Sequence, residues 1–201
     1  MADARRGIVI TVFSTASAVG KTLISINMAA ELAKQGYRVC LVDMDLQFGD
    51  VCNYLQLQPQ HTLADAAKTL ETDKDSFAVQ DYLTTYDRYD VPFGVMAAPL
   101  RLEEAYNIQT ASVKEVLLQL QLRFDFVVID TASMFSDINL TAMELSTIVT
   151  FLGIVDFIPT IKNMKTVPST PFPATAFPWR RWAYSSSGLP GSVSTAAPPS
   201  A

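Results

Sequence analysis

Histidine is all but missing from this chain: His61 stands alone among 201 residues, and cysteine stops at Cys40 and Cys52. The two thiols do not form a C-x-x-C pair, and one imidazole cannot complete a tetrahedral metal set with them. Cys40 lies in the apolar run "VCLV", where it reads as a small core residue, and such sparse cysteine usage fits a reducing cytoplasm. Basic clusters are missing too. The formal charge is −5 with a pI near 4.8, and no Lys/Arg-rich run offsets it. Long-range repulsion therefore disfavours direct DNA binding. No apolar run reaches the ~20 residues of a bilayer span; the longest late one is "TIVTFLGIV". "ARRGIVITVF" is followed by a polar Ser-Thr-Ala-Ser loop instead of a cleavage site, so it does not read as a signal peptide. The expectation is a cytoplasmic protein with no transmembrane segment.

What the chain has is core material. Hydrophobic residues make up 49% of it, enough for one sizeable, well-buried domain. Unbroken apolar runs over residues 7–13, 38–42, 94–98, 124–129 and 147–155 predict strands covered on both faces, hence a parallel sheet. Helical patterns alternate with them, which predicts an α/β fold. Residues 21–35 place Leu23, Ile26, Ala30 and Ala33 on one face and stop at Gly36, a C-terminal cap. Ser112-x-x-Glu115 reads as a capping box opening a helix with Val113, Val116, Leu117 and Leu120 inward. Thr62-x-x-Asp65 is a weaker copy of that signal.

From about residue 166 the composition changes. The stretch to residue 201 holds seven of the eleven prolines, both tryptophans and no acidic residue. Such a Pro/Ser/Ala-rich segment reads as a disordered tail. Its onset, directly after "IPTIKNMK", leaves open a shifted reading frame, a truncated gene model or a natural tail. The division expected is a folded domain over 1–165 and a tail over 166–201.

Glycine is scarce where it matters most. "STASAVGKT" follows the first strand and leads into a helix, the layout of a phosphate-cradling P-loop, yet Gly20 is its single glycine. Ligands of a doubly wound sheet bind outside the carboxyl ends of its strands. "LVDMDLQFGD" places Asp43 and Asp45 at one such end, and "FDFVVIDTA" places Asp130 at another. A Thr22 hydroxyl beside Lys21, with an acid at a neighbouring strand end, suits a nucleotide-bound Mg²⁺, which prefers oxygen ligands and keeps several waters. Lys21 would meet the phosphates, and the helix N-terminus would add its N–H groups and dipole. Each element alone has a plain structural explanation; all three in this order point to a nucleotide site.

The blocks "VFSTASAVGKTLISINMAAELA", "RVCLVDMDLQFGDVCNYLQLQPQHTLADA", "MAAPLRLEEA" and "FDFVVIDTASMFSDINLTAMEL" make the chain resemble the MinD/ParA group of deviant-Walker ATPases. Within that group it is most similar to the CpaE/TadZ branch of Flp-type (tight-adherence) pilus assembly, over about residues 7–165. The resemblance implies a three-layer, mostly parallel twisted sheet of the P-loop NTPase type, C-terminally incomplete here. It implies ATP and Mg²⁺ as cofactors, a nucleotide-dependent homodimer, and pilus assembly proteins as partners. The place implied is the cytoplasm, with the inner face of the membrane or the cell pole as peripheral sites. On the positions of this sequence, Ser17, Ala18, Val19, Gly20, Lys21 and Thr22 would cradle phosphates. Thr22, Asp43 and Asp130 would serve the metal, directly or through water. Asp45 would position the attacking water, with Lys21 beside it in the chemistry.

Two departures follow. The family motif Lys-Gly-Gly-x-Gly-Lys-Thr runs here from Ala16 to Thr22, so Ser17 and Ala18 replace glycines and Ala16 replaces the signature lysine. Cradling uses backbone N–H groups, so a replaced glycine matters only where φ must be positive, at about 1–2 kcal/mol each. The resemblance gives the missing lysine a role on the partner's nucleotide like that of an arginine finger, worth on the order of 10³–10⁵ in rate. The expectation is therefore slow hydrolysis with binding retained. A DNA-partitioning ATPase, or a scaffold that has lost turnover, is the alternative; ATP over GTP rests on the resemblance alone.

Overall fold

Strand-forming runs of Val, Ile and Leu become a six-stranded sheet, and the computed structural model describes residues 6–153 of the chain. The strands are β1 (Ile8–Phe13), β2 (Val39–Met44), β3 (Thr84–Tyr86), β4 (Phe93–Met96), β5 (Phe126–Thr131) and β6 (Ile148–Phe151). Their order is β3-β4-β2-β5-β1-β6, parallel throughout except for β3, which runs antiparallel to β4. Five of the six are the predicted apolar runs with shifted ends. The sixth, β3, is three residues of "TTY" at the sheet edge, too short and too exposed to leave an apolar signal. The chain divides into two units, Met1–Val155 and Asp156–Ala201. The predicted tail over 166–201, the helix start "IPTIKNMK" and the last residues of the predicted strand over 147–155 lie outside the described residues.

Helices cover both faces, as the continuous apolar strands require. On β2, Cys40, Val42 and Met44 join one core cluster, with side chains from α3 (Leu63–Thr72), α5 (Thr110–Arg123) and α6 (Asp137–Leu145). Val39 and Leu41 alternate into the other, with α1 (Lys21–Lys34) and α2 (Val51–Leu55). The three-layer α/β architecture is thus present, and α4 (Leu102–Tyr106) is a further short helix among the described residues.

Local signals succeed unevenly. Val113, Val116, Leu117 and Leu120 are buried as predicted, but Ser112 does not cap α5. The helix starts two residues earlier, and the buried Ser112 hydroxyl instead donates to Glu71 Oε1 on α3 at 2.7 Å. The weaker pattern is the real capping box. Thr62, extended and bridged to Ala97, donates its N–H to Asp65 at 2.8 Å and accepts the Asp65 N–H in return. On α1 the predicted stripe is rotated: Ser25, Ala29 and Ala33 are buried, while Leu23 is 48% exposed. Small residues on the inner face let this helix lie close to β5 and β2. Both cysteines are packed into the fold. Burial pushes the Cys40 thiol far up, and burial followed by the Asp43 charge pushes Cys52 up to about 11.

Candidate functional site

The carboxyl ends of β1, β5 and β2 lie side by side, and register aligns their chemistry. Asp130 pairs with Val12 on one side and with Asp43 on the other. The loop after β1 therefore leaves directly beside two buried carboxyls.

That loop is shaped from within. Ser14 is buried, and its Oγ accepts the Ala16 N–H at 3.1 Å. Gly20 turns left-handed at φ 88° to enter α1 and brings no side chain to cap it. The first-turn N–H groups of α1 thus carry no side-chain cap, at the positive end of the helix dipole. Of the two residues standing at glycine positions, only Ala18 adopts a left-handed conformation, φ 58°; Ser17 does not. The strain of the altered loop is therefore confined to one residue, at about 1–2 kcal/mol. Ala18→Gly is expected to raise the thermal midpoint by roughly 2–4 °C per kcal/mol recovered. A lowered midpoint in a melting scan would mean that the added chain entropy of glycine outweighs the relief.

Lys21 is half-buried, and its Nζ donates to Ser133 Oγ, while Ser133 in turn donates to the Ala16 carbonyl at 2.9 Å. One turn further, Ser25 Oγ donates to Asp130 Oδ1 at 3.0 Å, and the Thr22 hydroxyl lies close enough to the same carboxyl to favour its charged form. Burial pushes the Asp130 carboxyl up; those two hydroxyls and the Lys21 charge pull it back. Sequence reasoning passed over Ser25, although its spacing of four from Lys21 and three from Thr22 puts it on their helix face.

Asp43 has a different setting. Its Oδ1 accepts the Asp45 N–H and its Oδ2 the Val51 N–H, each at 3.1 Å, so one carboxyl fastens both ends of the intervening loop. Gly49 lies against it: a Cβ there would stand 2.6 Å from Asp43 Oδ2 and 2.3 Å from the Ala98 Cβ, so no side chain fits. Burial, then the Asp130 charge, raises Asp43 to about 8. Asp45 is half-buried, and its Oδ1 accepts the Phe48 N–H at 3.1 Å.

A cleft of about 840 Å³ opens over these groups, lined by Lys21, Thr22, Asp45, Ser133 and Asn139 among others. Ser17, Ala18 and Gly20 also line it; Val19 is half-buried in the same loop, and Asp43 and Asp130 are buried. Asn139 on α6 was not visible from the sequence. It is 1% exposed and donates from Nδ2 to the Met134 carbonyl at 2.9 Å and the Ala132 carbonyl at 3.4 Å. Its Oδ1 has no partner among the described residues. Among those residues no group of three or more His, Cys, Asp or Glu could hold an ion unaided. The hydroxyl and carboxyl donors fit Mg²⁺ that takes its other ligands from phosphate and water. Among the described residues no helix is long and apolar enough to cross a membrane.

The AAA_31 family model, described as an AAA domain, matches residues 7–166. The antiactivator FleN of Pseudomonas aeruginosa is 47% identical over 57 residues, which make up 28% of this chain and 20% of that protein. Among solved structures, a ParA-family ATPase from Chlorobium tepidum TLS superposes with a TM-score of 0.64 at 19% identity, covering 73% of this chain and 60% of its own. The septum site-determining protein MinD from Pyrococcus horikoshii OT3, complexed with Mg-ADP, gives 0.62 at 20% identity, covering 73% and 57%. The sheet order and helix layers are therefore those of the ParA/MinD fold. The chain spans about three fifths of these solved chains and a fifth of FleN.

Proposed function

The chain belongs to the AAA_31 family of AAA domains, and on that premise we propose that it binds ATP with Mg²⁺ in the cleft over α1, hydrolyses it slowly, and acts as a ParA/MinD-type dimeric switch. The observation that carries this reading is the Ser25 hydroxyl bonded to buried Asp130 at a strand end, on the same helix face as Thr22 and the Lys21 ammonium, both of which line the cleft. Lys21 would neutralise phosphate charge, and the uncapped N–H groups of α1 would bind phosphate oxygens. Thr22 would hold Mg²⁺ directly, with Asp130 acting through Thr22 and a bound water. Bound Mg²⁺ supplies charge neutralisation on the phosphates. Asp45 would orient the attacking water. Asp43, whose two oxygens each already accept a backbone N–H, would serve the metal site through water and through the loop that carries Asp45.

Slow turnover follows from Ala16, which cannot reach a partner's phosphates. The finer role proposed is placing or assembling Flp-type pilus machinery from the cytoplasmic side; the "LVDMDLQFGDV" and "AAPLRLEEA" blocks support it. Loss of surface pili in a deletion strain, restored by the intact gene, is the check on that role. The site itself is tested by equilibrium binding of a fluorescent ATP analogue with Mg²⁺. Lys21→Ala is expected to bind at least tenfold more weakly, since a hydrogen bond to a charged group contributes about 1.5–3 kcal/mol. Equal binding by both proteins would overturn the assignment.

A further inference from the structure

We infer that Ser133 is a positioning residue for Lys21, holding the ammonium at the cleft and off the Asp130 carboxyl; this deepens the nucleotide reading above and rests on it. Lys21 lies within electrostatic reach of Asp130, the carboxyl with which it could pair. Yet the one salt bridge among the described residues is Arg38–Asp125, and Lys21 Nζ bonds a neutral hydroxyl instead.

The hydroxyl has a fixed direction. Ser133 Oγ donates to the Ala16 carbonyl at 2.9 Å, so its lone pairs, and not its proton, face Lys21. Its backbone is fixed as well. The carbonyls on either side, Ala132 and Met134, are both held by the buried Asn139 amide. Asn139 in turn sits in the first turn of α6, where its N–H bonds the Ser136 cap at 3.2 Å. Just before Ser133, Thr131 Oγ1 donates to the Val12 carbonyl at 2.7 Å and ties the end of β5 to β1. The loop residue is thus held by its own hydroxyl and through the backbone on either side, with its oxygen aimed at a flexible side chain.

Lysine carries large rotamer freedom, and an ammonium has three donors. Spending one on Ser133 leaves two for phosphate oxygens, so the bond orders the side chain without competing with the nucleotide. Without it, Nζ gains the freedom to swing toward Asp130. That pairing would take both the cation from the phosphates and the carboxyl from the Mg²⁺ site.

The test is a double-mutant cycle on Ser133→Ala and Lys21→Ala, with Ser133→Thr as the variant that keeps the hydroxyl. The probe is a fluorescent ATP analogue titrated at several Mg²⁺ concentrations. Ser133→Ala is expected to weaken binding about tenfold, or about 1.4 kcal/mol, and to raise the half-saturating Mg²⁺. In the Lys21→Ala background the same change is expected to have little further effect, and Ser133→Thr is expected to bind like the original chain. Binding unchanged in Ser133→Ala, or weakened equally with and without Lys21, would overturn the inference.

A second readout needs no nucleotide. Acetylation of Lys21 by acetic anhydride, followed by mass spectrometry against Lys34, is expected to quicken severalfold in Ser133→Ala and not in Ser133→Thr. An unchanged labelling rate overturns the positioning role. If the original chain fails to bind the analogue while labelling responds as expected, the nucleotide reading falls and the Ser133–Lys21 coupling stands.

Discussion

Installing lysine at position 16 is expected to raise steady-state ATP turnover on the order of a thousandfold, the low end of what a charge-neutralising finger contributes to phosphoryl transfer. The backbone there is already set. The Ala16 N–H donates to Ser14 Oγ at 3.1 Å and its carbonyl accepts from Ser133 at 2.9 Å, so Ala16→Lys alters the side chain and leaves its point of attachment in place. Ala16 lies outside the left-handed region and is half-buried, so the backbone accepts a longer residue without added strain. Affinity for nucleotide is expected to change little, because in the proposed dimer the added cation would act on the partner's phosphates. Phosphate release and analogue binding should be measured together, at protein concentrations spanning dimer formation. Turnover that stays flat while nucleotide remains bound would place the limit on rate somewhere other than residue 16.

The second large effect is on stability against pH, and its sign is unusual for a carboxyl. Asp43 titrates at about 8 in the fold, against 3.8 for the free group, with burial as the main cause. Between those values the folded chain keeps a proton that the unfolded chain has released. Stability therefore falls as pH rises, by up to about 1.4 kcal/mol per pH unit, and the loss is complete only above the folded value. Asp130 is shifted in the same direction and adds to the trend. Urea unfolding of the nucleotide-free protein is expected to give a lower midpoint at pH 8 than at pH 5. Asp43→Asn, which has no carboxyl proton to lose, should flatten the slope. Bound Mg²⁺-nucleotide should flatten it as well, because a nearby cation favours the charged carboxyls. Greater stability at pH 8 than at pH 5 would mean that Asp43 is ionised in the fold.

The strands, the loop between β1 and α1 and the strand-end acids were legible because each rests on a local rule. Continuous apolar runs mark doubly covered strands, and an acid closing such a run falls at the carboxyl edge. What escaped depends on contacts between distant segments. Nothing near Ser112 shows that Glu71 waits on another helix, and that bond removes the predicted cap. Ser133 and Lys21 are 112 positions apart, so their contact appears only once β5 lies beside β1. Asn139 reads as an ordinary helix residue until both of its carbonyl partners are in place. The loop also held a question that sequence posed but could not answer, namely which replaced glycine carries the strain. Backbone geometry assigns it to Ala18 and exempts Ser17.

The two packed thiols have a practical consequence for spectroscopy. With Cys40 fully buried and Cys52 held up to about 11, neither is appreciably ionised near neutral pH, and only a thiolate attacks a maleimide quickly. A cysteine introduced at Phe48, which is 76% exposed on the rim of the cleft, would therefore take a dye in preference to both native sulfurs. The loop between Asp43 and α2 could then be watched by fluorescence on the otherwise unaltered chain, with no background to remove first.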